Sequence, residues 1–221
     1  MVDLPFQDRT DAGRVLGAEL ALRKPGPNTI VMALVRGGLP VGAEAARVLN
    51  APLDIVVVRK LGVPWQPELA MGAIAGGTRV LDRAMIHDLR ISNEELESVV
   101  AREVHEIARR EKLYRNGRPA PDLRGRTVIL VDDGLATGST MVAAARHIRS
   151  LHPKKLIIAV PVGSAQACRK VRSEADECIC LATPEPFFAV GEWYNDFQQV
   201  TDGEVQEILK QRSNSVEPVA F

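Results

Sequence analysis

Val128-Ile129-Leu130-Val131-Asp132-Asp133-Gly134-Leu135-Ala136-Thr137-Gly138-Ser139-Thr140-Met141 is the stretch that decides the fold. Its four leading apolar residues, three of them β-branched, predict a strand covered on both faces, here Thr127–Asp132. The run stops at two carboxylates. Gly138 then leads into Ser139–Leu151, whose apolar residues recur at helical spacing. Working outward, the alternation repeats. Upstream lie a helix at Asp11–Arg23, with Thr10 or Asp8 as its cap, and a strand at Thr29–Val35. A helix at Pro40–Asn50 and a strand at Leu53–Val58 follow. Downstream come a strand at Lys155–Pro161, a helix at Ser164–Ser173 and a strand at Glu177–Leu181. The pattern predicts an α/β fold: a mainly parallel sheet flanked by helices, with right-handed crossovers. Ligands of such sheets bind beyond the C-terminal strand ends, so the loops after Val35, Val58 and Val131 matter most.

The remaining segments decorate this frame. Arg59–Ala70 is expected to be a loop with the Gly and Pro content of a mobile lid, followed by short strands at Met71–Leu81 and Ala84–Leu89. Ser92–Asn116 is the clearest helix. Ser92 and Glu95 form a capping box, and Leu96, Val99, Val100, Val104, Ile107 and Ala108 form its apolar stripe. Thr183–Val200 is irregular and aromatic, Asp202–Arg212 is a last helix, and Ser213–Phe221 is expected to be a frayed tail. The 221 residues fit one domain, with a core at about 9–182, a helical insertion at 92–116 and a small hood at about 183–200. Lys plus Arg equals Asp plus Glu at 28 each, so no bulk positive charge favours a nucleic acid or an anionic membrane. Three cysteines do not form a disulfide framework, no apolar run reaches membrane-span length, and a cytoplasmic setting is expected. His87 and His105 read as surface residues, and no His/Cys cluster has zinc spacing.

The chemistry of residues 132–140 follows from its parts. Gly138 lets backbone approach a ligand closely. Thr137, Ser139 and Thr140 offer hydroxyls, and the free N–H groups of the next helix suit a phosphate. Two carboxylates just upstream would repel that phosphate unless they face ribose hydroxyls or a hydrated Mg²⁺. A sugar phosphate with vicinal hydroxyls satisfies both halves. A plain helix cap explains only the second half, and neither G-x-x-x-x-G-K-[ST] nor G-x-G-x-x-G is present. After the first strand, Arg36-Gly37-Gly38 combines a fixed charge with a turn able to expose N–H groups to an anion. Arg59 and Lys60 place two more cations at the second strand's end. Five of the nine aromatics fall within eleven residues, Phe187, Phe188, Trp193, Tyr194 and Phe197. They can fasten a loop or stack on a planar base.

Residues 128–141 resemble the signature of the type I phosphoribosyltransferases: four apolar residues, an acidic pair, and a loop ending in T-G-x-[ST]. The resemblance implies that Asp132 and Asp133 engage the ribose 2′- and 3′-hydroxyls of phosphoribosyl pyrophosphate (PRPP). It implies that Ala136, Thr137, Gly138, Ser139 and Thr140 hold the 5′-phosphate. Arg36, Gly37 and Gly38 resemble the pyrophosphate loop, which in that family often contains a strained or cis peptide. Arg59-Lys60-Leu61-Gly62 is similar to the R-K-x-G-K loop of adenine-type enzymes and the R-K loop of orotate-type enzymes, with Val63 in place of the second lysine, which implies a pyrophosphate contact for Arg59 and Lys60. Phe188-Ala189-Val190-Gly191 and Tyr194-Asn195-Asp196-Phe197 are similar to the hood of hypoxanthine-type enzymes, which makes Phe188 and Trp193 candidate base contacts. Phe6–Gly13, the long helix and the hood together resemble relatives of unassigned substrate, some fused to hydrolase domains. The implied activity is Mg²⁺-dependent transfer from PRPP to a nucleobase or similar nucleophile. Asp132, Asp133 and Lys60 would be catalytic, and the acidic pair would hold the metal directly or through water. Homodimers are common in the resembled family. Ala136 stands where 6-oxopurine enzymes commonly carry an Asp, which argues against hypoxanthine or guanine. Two rivals are a non-catalytic PRPP or nucleotide sensor on the same fold, and an α/β phosphoacceptor domain whose Asp pair sits at a strand end.

Overall fold

The computed structural model describes residues 2–215. Its seven strands form one sheet, in the order β4-β3-β2-β1-β5-β6-β7. Strands β1 (Thr29–Val35), β2 (Leu53–Val63), β5 (Thr127–Val131), β6 (Lys155–Val162) and β7 (Glu177–Ala182) run parallel. Strands β3 (Gln66–Ala75) and β4 (Thr78–Leu81) extend the sheet antiparallel beyond β2. Val128, Ile129, Leu130 and Val131 in β5 are fully buried, as their unbroken apolar run requires. Helices α1 (Arg9–Leu22) and α2 (Gly38–Leu49) pack with one face of the sheet, α5 (Ser139–Ser150) and α6 (Ala165–Arg172) with the other. The helices α3 (Arg83–Asp88), α4 (Asn93–Arg115) and α7 (Asp202–Ser215) complete the fold. No helix among the described residues is long and apolar enough to cross a membrane.

Several segments depart from the sequence expectation. Arg59–Ala70 is not a loop: β2 continues to Val63 and turns at Pro64-Trp65 into β3. Gly62 and Pro67 made this stretch read as irregular. They sit opposed at a register shift, where a Cβ on Gly62 would lie 2.3 Å from the Pro67 carbonyl. The expected strand Met71–Leu81 is two strands parted by Gly76-Gly77, both at positive φ. Ala84–Leu89 is helical rather than extended, because Asp82 caps it by accepting from the Met85 N–H. In α4 the capping box of Ser92 and Glu95 forms, but Val104 and Ala108 are exposed and Glu103 takes a buried place on the stripe. The last helix runs on to Ser215, three residues into the expected tail, and residues 216–221 lie outside the described residues.

Candidate functional site

Strand ends β1, β2 and β5 open onto two adjoining cavities of about 320 and 850 Å³ that share Thr140. The smaller is bordered by Arg9, Arg36, Gly37, Asp132, Asp133 and Phe197. The larger is bordered by Lys60, the turn 134–140, Lys170 and Val190.

The acidic pair follows β5 directly. Asp133 donates its backbone N–H to Asp132 Oδ1 at 2.9 Å, and Arg9 Nε donates to Asp133 Oδ2 at 2.9 Å. Burial pushes the Asp132 carboxyl well above the usual carboxylate range, reinforced by the neighbouring Asp133 charge. Burial also raises Asp133, while Arg9 works against the rise. The turn after β1 is fitted to this pair. The Val35–Arg36 peptide is cis, as the resemblance implied, and Gly37 and Gly38 begin α2. A Cβ on Gly37 would lie 2.1 Å from Asp133 Oδ2, and one on Gly38 2.8 Å from Asp132 Cα. Only glycine fits against the carboxylates at either place.

Gly138, at φ +73°, brings the chain into α5, and no side chain caps that helix. The first-turn N–H groups of Ser139, Thr140 and Met141 are therefore left for an anion. The turn is anchored from below. Leu135 N–H donates to the Val162 carbonyl, and Ser164 donates its N–H to the Leu135 carbonyl and its hydroxyl to the Ala136 carbonyl, at 2.8–3.0 Å. Lys170 from α6 adds a cation, its Nζ 3.0 Å from Ser139 Oγ.

The cations on β2 separate by the strand's alternation. Lys60 faces the larger cavity and is exposed. Arg59, expected to contact the pyrophosphate, borders neither cavity: it points to the other face, where Nε meets Glu103 at 2.8 Å. Glu103 is also bonded by Arg102 at 3.1 Å. Arg36 borders the smaller cavity and approaches Asp202 at 3.5 Å, the carboxylate that accepts from the buried Tyr114 hydroxyl at 2.6 Å.

In the hood, Tyr194 donates its hydroxyl to the Asp133 carbonyl at 2.5 Å, and burial raises its pKa. The N-terminal segment is zipped to this region. Phe6 N–H donates to the Trp193 carbonyl, Asn195 N–H to the Phe6 carbonyl and Asp196 N–H to the Gln7 carbonyl. Phe188 is 77% exposed, and Trp193 stacks on Phe187 at 6.2 Å with its Nε1 buried and unbonded. Neither borders the two cavities; Val190 does. Sequence reasoning placed Arg9 and Tyr194 only within motif resemblances, without a role beside the acidic pair, and missed Glu103 and Lys170. The charge at position 103 within an otherwise apolar stripe was the available signal for Glu103.

Among the described residues no group of three or more His, Cys, Asp or Glu side chains could hold a metal alone. The donors of Asp132 and Asp133 are hard oxygens, which fits Mg²⁺ only if ligand oxygens complete its shell.

These features define a doubly wound α/β protein with an uncapped helix start beside a half-buried acidic pair. The chain belongs to the phosphoribosyl transferase family: the phosphoribosyl transferase domain matches residues 11–196. Two Mycobacterium tuberculosis proteins, from strains CDC 1551 / Oshkosh and ATCC 25618 / H37Rv, are provisionally named phosphoribosyl transferases. Each is 44% identical over 205 residues, covering 92% of this chain and 46% of the relative. The chain thus spans about half the length of the curated relatives it matches. The crystal structure of TT1426 from Thermus thermophilus is 40% identical with a TM-score of 0.79, covering 94% of this chain and 99% of that one. A hypoxanthine-guanine phosphoribosyltransferase from Bacillus anthracis shares the fold at 14% identity and TM-score 0.50, over 85% of this chain and 86% of that one.

Proposed function

We propose that this chain transfers a phosphoribosyl group from PRPP to a nucleobase or similar nucleophile, releasing pyrophosphate with Mg²⁺ bound. One observation carries the reading: an uncapped helix start and a half-buried acidic pair lie five residues apart along one turn, with two glycines pressed against the pair. The 5′-phosphate takes the N–H groups and hydroxyls of residues 137–140, with Lys170 as counter-charge. The ribose diol donates to Asp132 and Asp133 in their ionised forms. Those carboxylates also offset positive charge developing at the anomeric carbon. Arg36 and Lys60 border the two cavities and balance charge gathering on the departing pyrophosphate. Asp132 and Asp133 would be the residues that hold a Mg²⁺ ion, directly or through water, and such an ion would supply further neutralisation of that charge. Ala136 brings no proton acceptor to the acceptor base, which disfavours 6-oxopurines.

The test is pyrophosphate release from PRPP and Mg²⁺ across a panel of bases. The double substitution Asp132→Asn with Asp133→Asn is expected to abolish turnover while the circular dichroism stays native. Full activity in that variant would remove the basis of the reading. A PRPP sensor without turnover is the second reading of the same site. PRPP binding with no pyrophosphate release from any base would select it.

A further inference from the structure

We infer that Arg9 works in two positions, pairing with Asp133 while the diol site is free and turning to the pyrophosphate group when ribose hydroxyls take Asp133. The inference rests on the phosphoribosyl transfer reading and assigns to Arg9 a role that the signature at residues 128–141 does not contain.

The pairing of Phe6 and Gln7 with residues 193–196 carries Arg9, the first residue of α1, into the smaller cavity. There Nε donates to Asp133 Oδ2 at 2.9 Å and Nη1 to the Gln198 carbonyl at 2.7 Å. The guanidinium carbon lies 3.8 Å from the centre of the Phe197 ring. The side chains of Arg9 and Asp133 are 11% and 14% exposed. A carboxylate so enclosed is costly unpaired, and Arg9 compensates one of the two. The proposal puts a ribose hydroxyl on this same oxygen, which Gly37 already crowds, so the two donors compete for it. When a ribose hydroxyl donates there, Nε loses its acceptor. The Phe197 face and the Gln198 carbonyl still hold the guanidinium inside the cavity, where it remains positive and poorly hydrated. Nη2 makes no hydrogen bond among the described residues. Its two donors are therefore available to an anion in the cavity that Arg9 shares with Arg36 and Gly37. One side chain thereby opposes ribose binding and rewards pyrophosphate binding, favouring ligands that carry both groups.

A static strut and a two-position cation differ in how they treat fragments of PRPP. Isothermal titration of the full chain would use PRPP, ribose 5-phosphate and inorganic pyrophosphate, each with MgCl₂. In Arg9→Gln, PRPP and pyrophosphate are expected to bind about 10- to 100-fold more weakly, the scale of lost charge-assisted hydrogen bonds. Ribose 5-phosphate is expected to keep its affinity or to gain up to about tenfold, since its competitor is gone. Arg9→Lys, which keeps the charge, is expected to restore much of the pyrophosphate affinity and serves alone if the glutamine variant fails to fold. Equal weakening of all three ligands in the folded variant would make Arg9 a structural strut and overturn the inference. Unchanged PRPP and pyrophosphate affinities would overturn it too. If the wild-type chain bound none of the three, the phosphoribosyl transfer reading would itself fail, which separates the two outcomes.

Discussion

Replacing Gly37 by alanine tests whether the anion loop and the acidic pair are one fitted unit. The glycine is needed for room and not for conformation, since its φ of −59° is open to any residue. An added Cβ would stand 2.1 Å from Asp133 Oδ2, against the 3.4 Å at which ordinary contact begins. The carboxylate must yield by about 1.3 Å, which breaks its 2.9 Å bond to Arg9 and forces the side chain off its rotamer. A hydrogen bond to a charged group contributes about 1.5–3 kcal/mol and an off-rotamer side chain costs about 0.5–1.5 kcal/mol. The expected loss is therefore about 2–4 kcal/mol, or roughly 5–15 °C in melting temperature for a chain of this size. Thermal unfolding followed by circular dichroism measures it, and PRPP titration of the folded variant should show weakened binding. Gly203→Ala is the matched control. Its Cβ would meet nothing nearer than Thr201 Oγ1 at 3.9 Å, in the first turn of α7, so it should be neutral or stabilising by up to about 1 kcal/mol. If Gly37→Ala melted with the wild type and bound PRPP equally, the argument from close packing would be wrong.

Two further outcomes follow from the site. Asp132→Asn should raise the melting temperature of the ligand-free protein at pH 8. The folded state holds that carboxyl's pKa above its unfolded value, so its favourable contribution is complete only below the unfolded pKa and is lost as pH rises through the folded one. The gain should shrink as the pH is lowered, and a gain that grew on acidification would contradict the burial argument. Lys170→Ala should weaken ribose 5-phosphate binding about tenfold while leaving pyrophosphate binding within a factor of two, read by calorimetry, because Lys170 meets only the turn that would hold the 5′-phosphate. Equal losses for both ligands would place the lysine elsewhere in the chemistry.

The legible parts of the chain were those whose physics is local. A buried parallel strand, an acidic stop, a glycine and an uncapped helix start are consecutive in residues 128–141, so their order alone exposed both the sheet and the site. Asp82 and Ser92 capped their helices through neighbours three residues on, and only the second was read, because its helix was long enough to show a period. The hairpin of β2 and β3 was hidden because Gly62, Pro64 and Pro67 are loop residues by composition. They are tolerated here at a register shift and a turn. Contacts made across the fold left no local trace. Arg9 meets Asp133 from 124 positions away, Tyr194 reaches the same residue from 61, and Lys170 reaches Ser139 from 31. Glu103 did leave a trace as a charge where an apolar residue belonged, but its partner Arg59 lies 44 positions back.

The alternation along β2 gives its neighbouring cations separate fates. Position 59 answers to α4 through Glu103, whereas position 60 answers to the cavity. A relative that had dispensed with residues 93–115 would have no reason to keep arginine at the first position and every reason to keep lysine at the second. Drift in one would be uncoupled from drift in the other, although the two are adjacent in the chain.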